Sequence, residues 1–400
     1  MQDLIELFLE LVKIPSPSFK EEKVAQKIIE ILTSNGIEAK CDDYGNVLAK
    51  IPATDSNKKP LLLSAHMDVV GDDSPINAII NGDIIETDKT RTLGADDKAG
   101  VAAAIKLALE VQANKELKHG GLELVFTRDE EVSMTGVNHL DFSKLESEYI
   151  LVLDSDTVGN FEIAGASYTK LDVLVTTKYG GHSGLDISNP ERINAAKVIA
   201  DYVNMAPIGA INEDELGVVT SANLGAIVGG GVKRTLEGAM NEKDPNFYIA
   251  RNCTDNIINT SAAAHYSIRS SNSWYEKELI DAYKSMADCF NRKYKGLADI
   301  KVEVSEHLKP FEKSDDDTTV KIAKKAAANL DIKLNVCSFH AGAETHIYSN
   351  QKNAFGVNFK PVLMGIADIS NMHSSQEQIN IESYKKGYAL LKEFFKEFNA

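Results

Sequence analysis

The chain is short of the residues that would staple or anchor it. It has 4 cysteines and 1 tryptophan among 400 residues. Cys41, Cys253, Cys289 and Cys337 lie far apart with no C-x-x-C pair, so neither a disulfide framework nor a thiolate metal site is indicated. Such thiols are expected to be buried, in a reducing compartment. No window approaches the roughly 18 uninterrupted apolar residues of a spanning helix, and Met1-Gln2-Asp3-Leu4-Ile5-Glu6 lacks the basic start and apolar stretch of a signal peptide. The expectation is a soluble, cytoplasmic protein with no membrane partner. Positive charge is also scarce: 43 Lys and Arg against 59 Asp and Glu leave a net charge of −16. That balance repels phosphate backbones and anionic lipid, so no nucleic-acid partner is expected, and a cation or a small molecule is favoured.

What is present is ordinary for a globular chain, 43% hydrophobic and 26% charged, which excludes disorder. At roughly 150 residues per domain the length calls for two domains, or one inserted in another. Leu4, Leu7, Phe8, Leu11 and Val12 recur at helical spacing, as do Val24, Ile28, Ile29 and Leu32. Compact apolar runs follow at 61–64, 122–126 and 150–153, with a helix between the first two whose Val101, Ile105, Ala108 and Leu109 form one stripe. Short apolar strands separated by helices predict an α/β domain: a mixed, largely parallel sheet covered on both faces.

From about Thr169 the pattern changes. Strands are predicted at 170–177, 261–268 and 300–304, and helices at 189–204 and 273–290, the order of a split α+β, ferredoxin-like unit. After Pro310 the α/β pattern resumes, with a helix at 320–329, a strand at 355–364 and a last helix at 383–398. The expected organisation is a domain of residues 1–165 and 308–400 that holds an inserted domain of residues 166–307.

Charged residues stand beside the apolar strands. Ser64-Ala65-His66-Met67-Asp68 ends one run, and an imidazole with a carboxylate two residues on is a common arrangement for a metal-bound histidine. Leu93-Gly94-Ala95-Asp96-Asp97-Lys98-Ala99-Gly100 precedes the second helix, where an aspartate could equally cap it. Arg128-Asp129-Glu130-Glu131 follows a strand, Asp154 ends the next, and Met372-His373-Ser374 comes late. Anions gathered at one end of a sheet repel unless a cation neutralises them. A set of His66, Asp96, Glu131, Asp154 and His373 mixes imidazole with carboxylate, which suits zinc, with manganese or cobalt as substitutes.

In order and spacing, H-x-D, G-A-D-D-K-A-G, D-E-E-x-x-M-T-G, a strand-end Asp and a late His resemble the co-catalytic di-zinc exopeptidases related to peptidase T. The likeness runs nearly the whole chain. It implies two divalent ions, with His66, Asp96 and Asp154 on one and Asp96, Glu131 and His373 on the other, Asp96 bridging. It further implies that Asp68 orients His66, that Glu130 is the general base, and that the Asp96-Asp97 peptide is cis. In the inserted domain Tyr179-Gly180-Gly181-His182-Ser183-Gly184 is similar to the family's lid motif, whose histidine stabilises the oxyanion, across a homodimer in some members. Arg269 resembles the lid arginine that grips a substrate carboxylate, with Asn223 a further lid candidate. Hinge closure at the two crossings between domains is expected to bring His182 and Arg269 onto the bound peptide.

Phe339-His340-Ala341-Gly342-Ala343-Glu344 departs from peptidase T and, with Met134-Thr135-Gly136, looks more like aminoacyl-histidine dipeptidases. Glu344 is either the partner of a substrate's amino group or a turn residue. The expectation is a tripeptide aminopeptidase acting on short peptides, with a dipeptidase second. An amidohydrolase of N-acyl amino acids would use the same groups. A non-catalytic metal-binding protein would be expected to lack a base or a ligand, which this chain does not. His119, His139, His265, His307 and His346 show no partner pattern and are expected at the surface or satisfied in the core.

Overall fold

The computed structural model describes residues 3–229, 243 and 255–400. They form two compact units, Met1–Gly165 with Phe311–Ala400, and Ala166–Pro310.

The first unit is built on an eight-stranded mixed sheet. Its centre is the neighbouring parallel set Leu122–Thr127, Leu61–His66, Tyr149–Ser155 and Lys360–Gly365. Antiparallel pairing adds Val47–Ile51 and Glu38–Cys41 on one side and Asn160–Gly165 on the other, with Asn335–Phe339 parallel at that edge. Every residue of Leu61–His66 and of Leu122–Thr127 is buried, as expected for parallel strands covered on both faces. One face carries the helix Ala95–Ala113, which packs on Leu61–His66 and Tyr149–Ser155. That helix is apolar nearly all round and correspondingly buried. Tyr384, on the last helix Ile381–Phe398, donates its hydroxyl to Ala99 O at 2.7 Å, tying the two helices together. The opposite face packs Leu62, Val125, Ile150, Val152 and Leu363 against Val137, Leu140, Leu145, Tyr348 and Phe359.

The second unit is an antiparallel sheet in the order Gly209–Asp214, Gly217–Gly229, Ser261–Ser270, Tyr168–Thr177, Ala298–Leu308. Helices Ala195–Met205 and Ser273–Tyr294 cover one face, packing their Tyr202 and Tyr283 on Leu171, Val173, Val175 and Tyr266 of the strands. Four of these strands and the two helices follow the split α+β order; Gly209–Asp214 is an added edge strand.

Several expected boundaries move for local reasons. The helix expected from 189 begins at Ala195, because the Asn194 side chain caps it by accepting from Ala196 N. The strand expected from 355 begins at Lys360. The Asn353 side chain accepts from the N–H groups of Phe355 and Val357 and curls that stretch into a turn, leaving Phe355 71% exposed. The thiols are not buried as expected: Cys41 and Cys289 are exposed and Cys337 is intermediate, while Cys253 lies outside the described residues.

Candidate metal centre

Five side chains converge at one end of the central sheet. His66 is the last residue of its strand, and Asp154 lies in the parallel neighbour Tyr149–Ser155. Asp96 stands in the first turn of Ala95–Ala113, which Gly94 enters at φ +76° and which contains a cis Asp96-Asp97 peptide. Asp96 is thus held by a helix start and not by a strand end. Glu130 and Glu131 occupy the turn after Leu122–Thr127, and His373 stands at φ +59° in the loop after Ile369–Ser370.

Donor atoms of His66, Asp96 and Asp154 lie within 4.8 Å of one another, as do those of Asp96, Glu131 and His373. Asp96 belongs to both groups, with Oδ1 3.0 Å from His66 Nε2 and Oδ2 3.0 Å from His373 Nε2. His66 Nε2 is also 3.6 Å from Asp154 Oδ1, and His373 Nε2 is 3.0 Å from Glu131 Oε1.

These contacts do not satisfy one another. A neutral imidazole has one N–H. Without a cation, burial lowers the proton affinity of the His66 imidazole, but Asp154, Asp68 and Asp96 outweigh it and hold the ring well above its ordinary value. In the neutral ring that a cation requires, the hydrogen sits on Nδ1, 3.0 Å from the Asp68 carbonyl, and Nε2 offers its lone pair beside two carboxylates. His373 Nε2 has at most one hydrogen for Asp96 and Glu131 together, and Glu131 Oε1 is buried without a hydrogen-bond donor. Lone pairs converging on a common point are what a divalent cation satisfies, so the residues present fit such a group.

Proton affinities record the same crowding. Burial pushes Asp154 up to about 7, with the charge of Asp96 adding and His66 opposing. Burial also raises Glu131 and carries Glu130 well above the usual carboxylate range, the latter helped by Asp154, Glu344 and Glu131. For Asp96 burial acts upward too, but hydrogen bonds with His373 and His66 outweigh it and hold the carboxyl low. His373, bonded to Asp96, is raised to about 9.

Asp68 is fully buried beside His66, with Oδ1 3.3 Å from Nδ1. Glu344 is not a surface group. It is 1% exposed, Oε2 accepts from Ser64 Oγ at 3.1 Å, and Oε1 has no donor; burial pushes it up to about 7.

Within the second unit, His182 is exposed, and its Nδ1 accepts from Gly184 N at 3.1 Å and Leu185 N at 3.3 Å. A neutral ring so held carries its hydrogen on Nε2. Arg269 stacks 4.9 Å above the Tyr168 ring. Ser221 pairs with Arg269 across the strands, and Asn223, two residues along, points to the same face of the sheet.

The sequence reading passed over Glu377, which binds the segment around Asp96, and Glu162, which is buried with Oε2 unpaired. A third carboxylate group, Glu21, Asp68 and Asp129, also comes together. It is held by Arg128, Tyr44, Ser18 and backbone N–H groups. Only burial distinguishes these acids from surface ones, and a single sequence carries no such signal. Of the remaining histidines, His119 is buried and accepts from Gly121 N, while His265 pairs with Asp172.

The model of peptidase family M20/M25/M40 matches residues 62–397. Peptidase T of Geobacillus kaustophilus is 25% identical over 99% of this chain and 98% of its own. Among solved structures, the aminopeptidase PepT of Bacillus cereus superposes with a TM-score of 0.82 at 24% identity, covering 99% of this chain and 98% of that one. The aminoacylhistidine dipeptidase of Vibrio alginolyticus follows at 0.71 and 21%, covering 98% and 96%.

Proposed function

The chain belongs to peptidase family M20/M25/M40, and from that membership we propose that it is a metal-dependent exopeptidase releasing the amino-terminal residue of short peptides, tripeptides foremost. The observation that carries this reading is the Asp96 carboxylate, each of whose oxygens faces a histidine of a different triad at 3.0 Å.

His66, Asp96 and Asp154 would hold one divalent ion and Asp96, Glu131 and His373 the other. When bound, such a pair supplies Lewis acidity that lowers the pKa of water and polarises the scissile carbonyl. Zinc is the proposed metal, with manganese or cobalt able to replace it. Glu130 takes a proton from the attacking water and delivers it to the departing amine nitrogen; a carboxylate whose proton affinity is raised by burial suits that task. Asp68 keeps the His66 hydrogen on Nδ1. His182, with its hydrogen on Nε2, is a donor for the developing oxyanion, and Arg269 and Asn223 are proposed for the peptide's carboxylate end. Glu344 is the candidate counter-charge for the free amino group, since Oε1 lacks a donor; reaching it requires its enclosure to open.

Dipeptides are the second reading, favoured by His340-Ala341-Gly342-Ala343-Glu344. We also propose a homodimer through the unit Ala166–Pro310, supported by its exposed Leu185, Ile187 and Ile208, at 85%, 69% and 55%. A cytoplasmic setting is supported by free Cys41, Cys289 and Cys337. Among the described residues no helix is long and apolar enough to cross a membrane.

The deciding experiment is hydrolysis of free dipeptides, tripeptides and their acetylated counterparts by zinc-loaded protein, with product identification. Release of the amino-terminal residue from unblocked tripeptides is expected. Turnover confined to acetylated amino acids would replace this reading with an amidohydrolase.

A further inference from the structure

Glu377 is 1% exposed, yet its carboxylate is among the most heavily engaged in the first unit. Oε2 accepts from Thr92 Oγ1 and from Gly94 N at 2.7 Å, and Oε1 accepts from Asp96 N at 3.1 Å. All three donors lie in the segment that delivers Asp96 to the site. The acceptor belongs to the segment that delivers His373: Glu377 N donates back to Ser374 O at 3.2 Å. Gln378 then pairs with Glu86 in the small sheet that leads into Thr92.

Asp96 has an exacting geometric task, because one oxygen must face each triad and a modest turn of its peptide would misdirect both. Its surroundings leave little slack. Gly94 adopts φ +76°, and a Cβ there would meet Val69 Cγ1 at 2.7 Å. Anchoring the N–H of Asp96 and of Gly94 on one carboxylate holds the planes of both peptides, and a buried charge that meets three donors is costly to dislodge.

We propose that Glu377 is a positioning residue that locks the Asp96 segment to the His373 segment, so that the two ligand triads assemble as one unit. The inference rests on the two-cation reading above and adds to it a residue that touches neither cation nor substrate. Glu377→Gln is the sharper variant: it keeps the size but turns an NH2 group toward donors that need an acceptor.

The test uses the full chain, stripped of metal, as wild type, Glu377→Gln and Glu377→Ala. Zinc affinity is measured by competition with a chromophoric chelator, cobalt coordination by the visible spectrum, and the fold by circular dichroism and melting of the metal-free protein. The expected result is a folded Gln variant whose zinc affinity falls by about 10- to 100-fold and whose cobalt spectrum is altered. Folded variants with wild-type affinity and spectrum, differing only in melting temperature, would overturn the proposal. If the Ala variant does not fold, the Gln variant alone decides. A wild-type chain that takes up fewer than two equivalents sinks the two-cation reading itself. Wild type binding two, with unaltered variants, sinks only the role of Glu377.

Discussion

His66 Nδ1 lies 3.0 Å from the backbone carbonyl of Asp68 and 3.3 Å from its Oδ1. The same carboxylate accepts the N–H groups of Glu130 at 3.0 Å and Glu131 at 3.2 Å. One buried acid therefore orients a candidate ligand on one strand and the turn that carries a second candidate ligand and the proposed base. Asp68→Ala is expected to weaken zinc binding by about 10- to 100-fold and to reduce turnover even at saturating metal. Chelator competition alongside kcat at excess zinc checks this; wild-type affinity would show that Asp68 does not orient His66.

Glu130 is not one of the five residues in the two triads. Glu130→Ala should leave two equivalents of metal bound while turnover falls on the order of 10²- to 10⁴-fold, the usual contribution of a positioned proton acceptor. Metal analysis of the purified variant beside a peptide assay gives both readings. Near-normal hydrolysis would remove Glu130 from the mechanism.

Because Asp96 is shared and Asp154 is not, their variants should differ in kind. Asp96→Ala is expected to lose both metal equivalents under conditions where Asp154→Ala loses one. Equilibrium dialysis against zinc counts them, and equal losses would argue against a bridging carboxylate.

Metal should also stabilise the fold, since bringing together His66, Asp96, Glu131, Asp154 and His373 without counter-charge opposes folding. Zinc at about 100 times its dissociation constant is expected to add about 2.7 kcal/mol, read as a rise in melting temperature that chelator reverses. An unchanged melting temperature would mean that no such site is formed.

Glu162, which belongs to neither triad, gives a further prediction. It is 5% exposed, Ser155 Oγ is its near partner at 3.2 Å, and burial pushes it up to about 7 from 4.5. The folded state therefore holds a proton that the unfolded state releases, and stability falls as pH rises from about 4.5 to about 7. At roughly 1.4 kcal/mol per tenfold change in proton affinity the loss is at most about 3.5 kcal/mol. Glu162→Gln removes it, so the metal-free variant should melt above wild type at pH 7.5 and near it at pH 4.5. A difference that does not vary with pH would contradict the assignment.

Much of this was visible along the chain. Apolar runs ending in His66, Thr127 and Asp154 mark strands because each strand is buried on both faces, and polar residues at their ends have few roles other than chemistry. Where burial was not local, the pattern misled. The apolar run from Phe355 is partly a turn, because Asn353 bonds its backbone. The cysteines, expected inside by composition, are exposed at Cys41 and Cys289 because Cys41 ends a strand at the sheet's margin and Cys289 faces outward on its helix.

By itself the order of residues determined which elements form and which side chains stand at their ends, since helical and strand periodicity, caps and turns act over a few positions. Only the tertiary structure decided that Asp96 reaches two histidines at once, that Glu377 clasps the Asp96 segment, and that Glu162 is shut away from water. Those outcomes depend on which strands become neighbours and on how completely solvent is excluded between segments hundreds of residues apart, and no local preference encodes either.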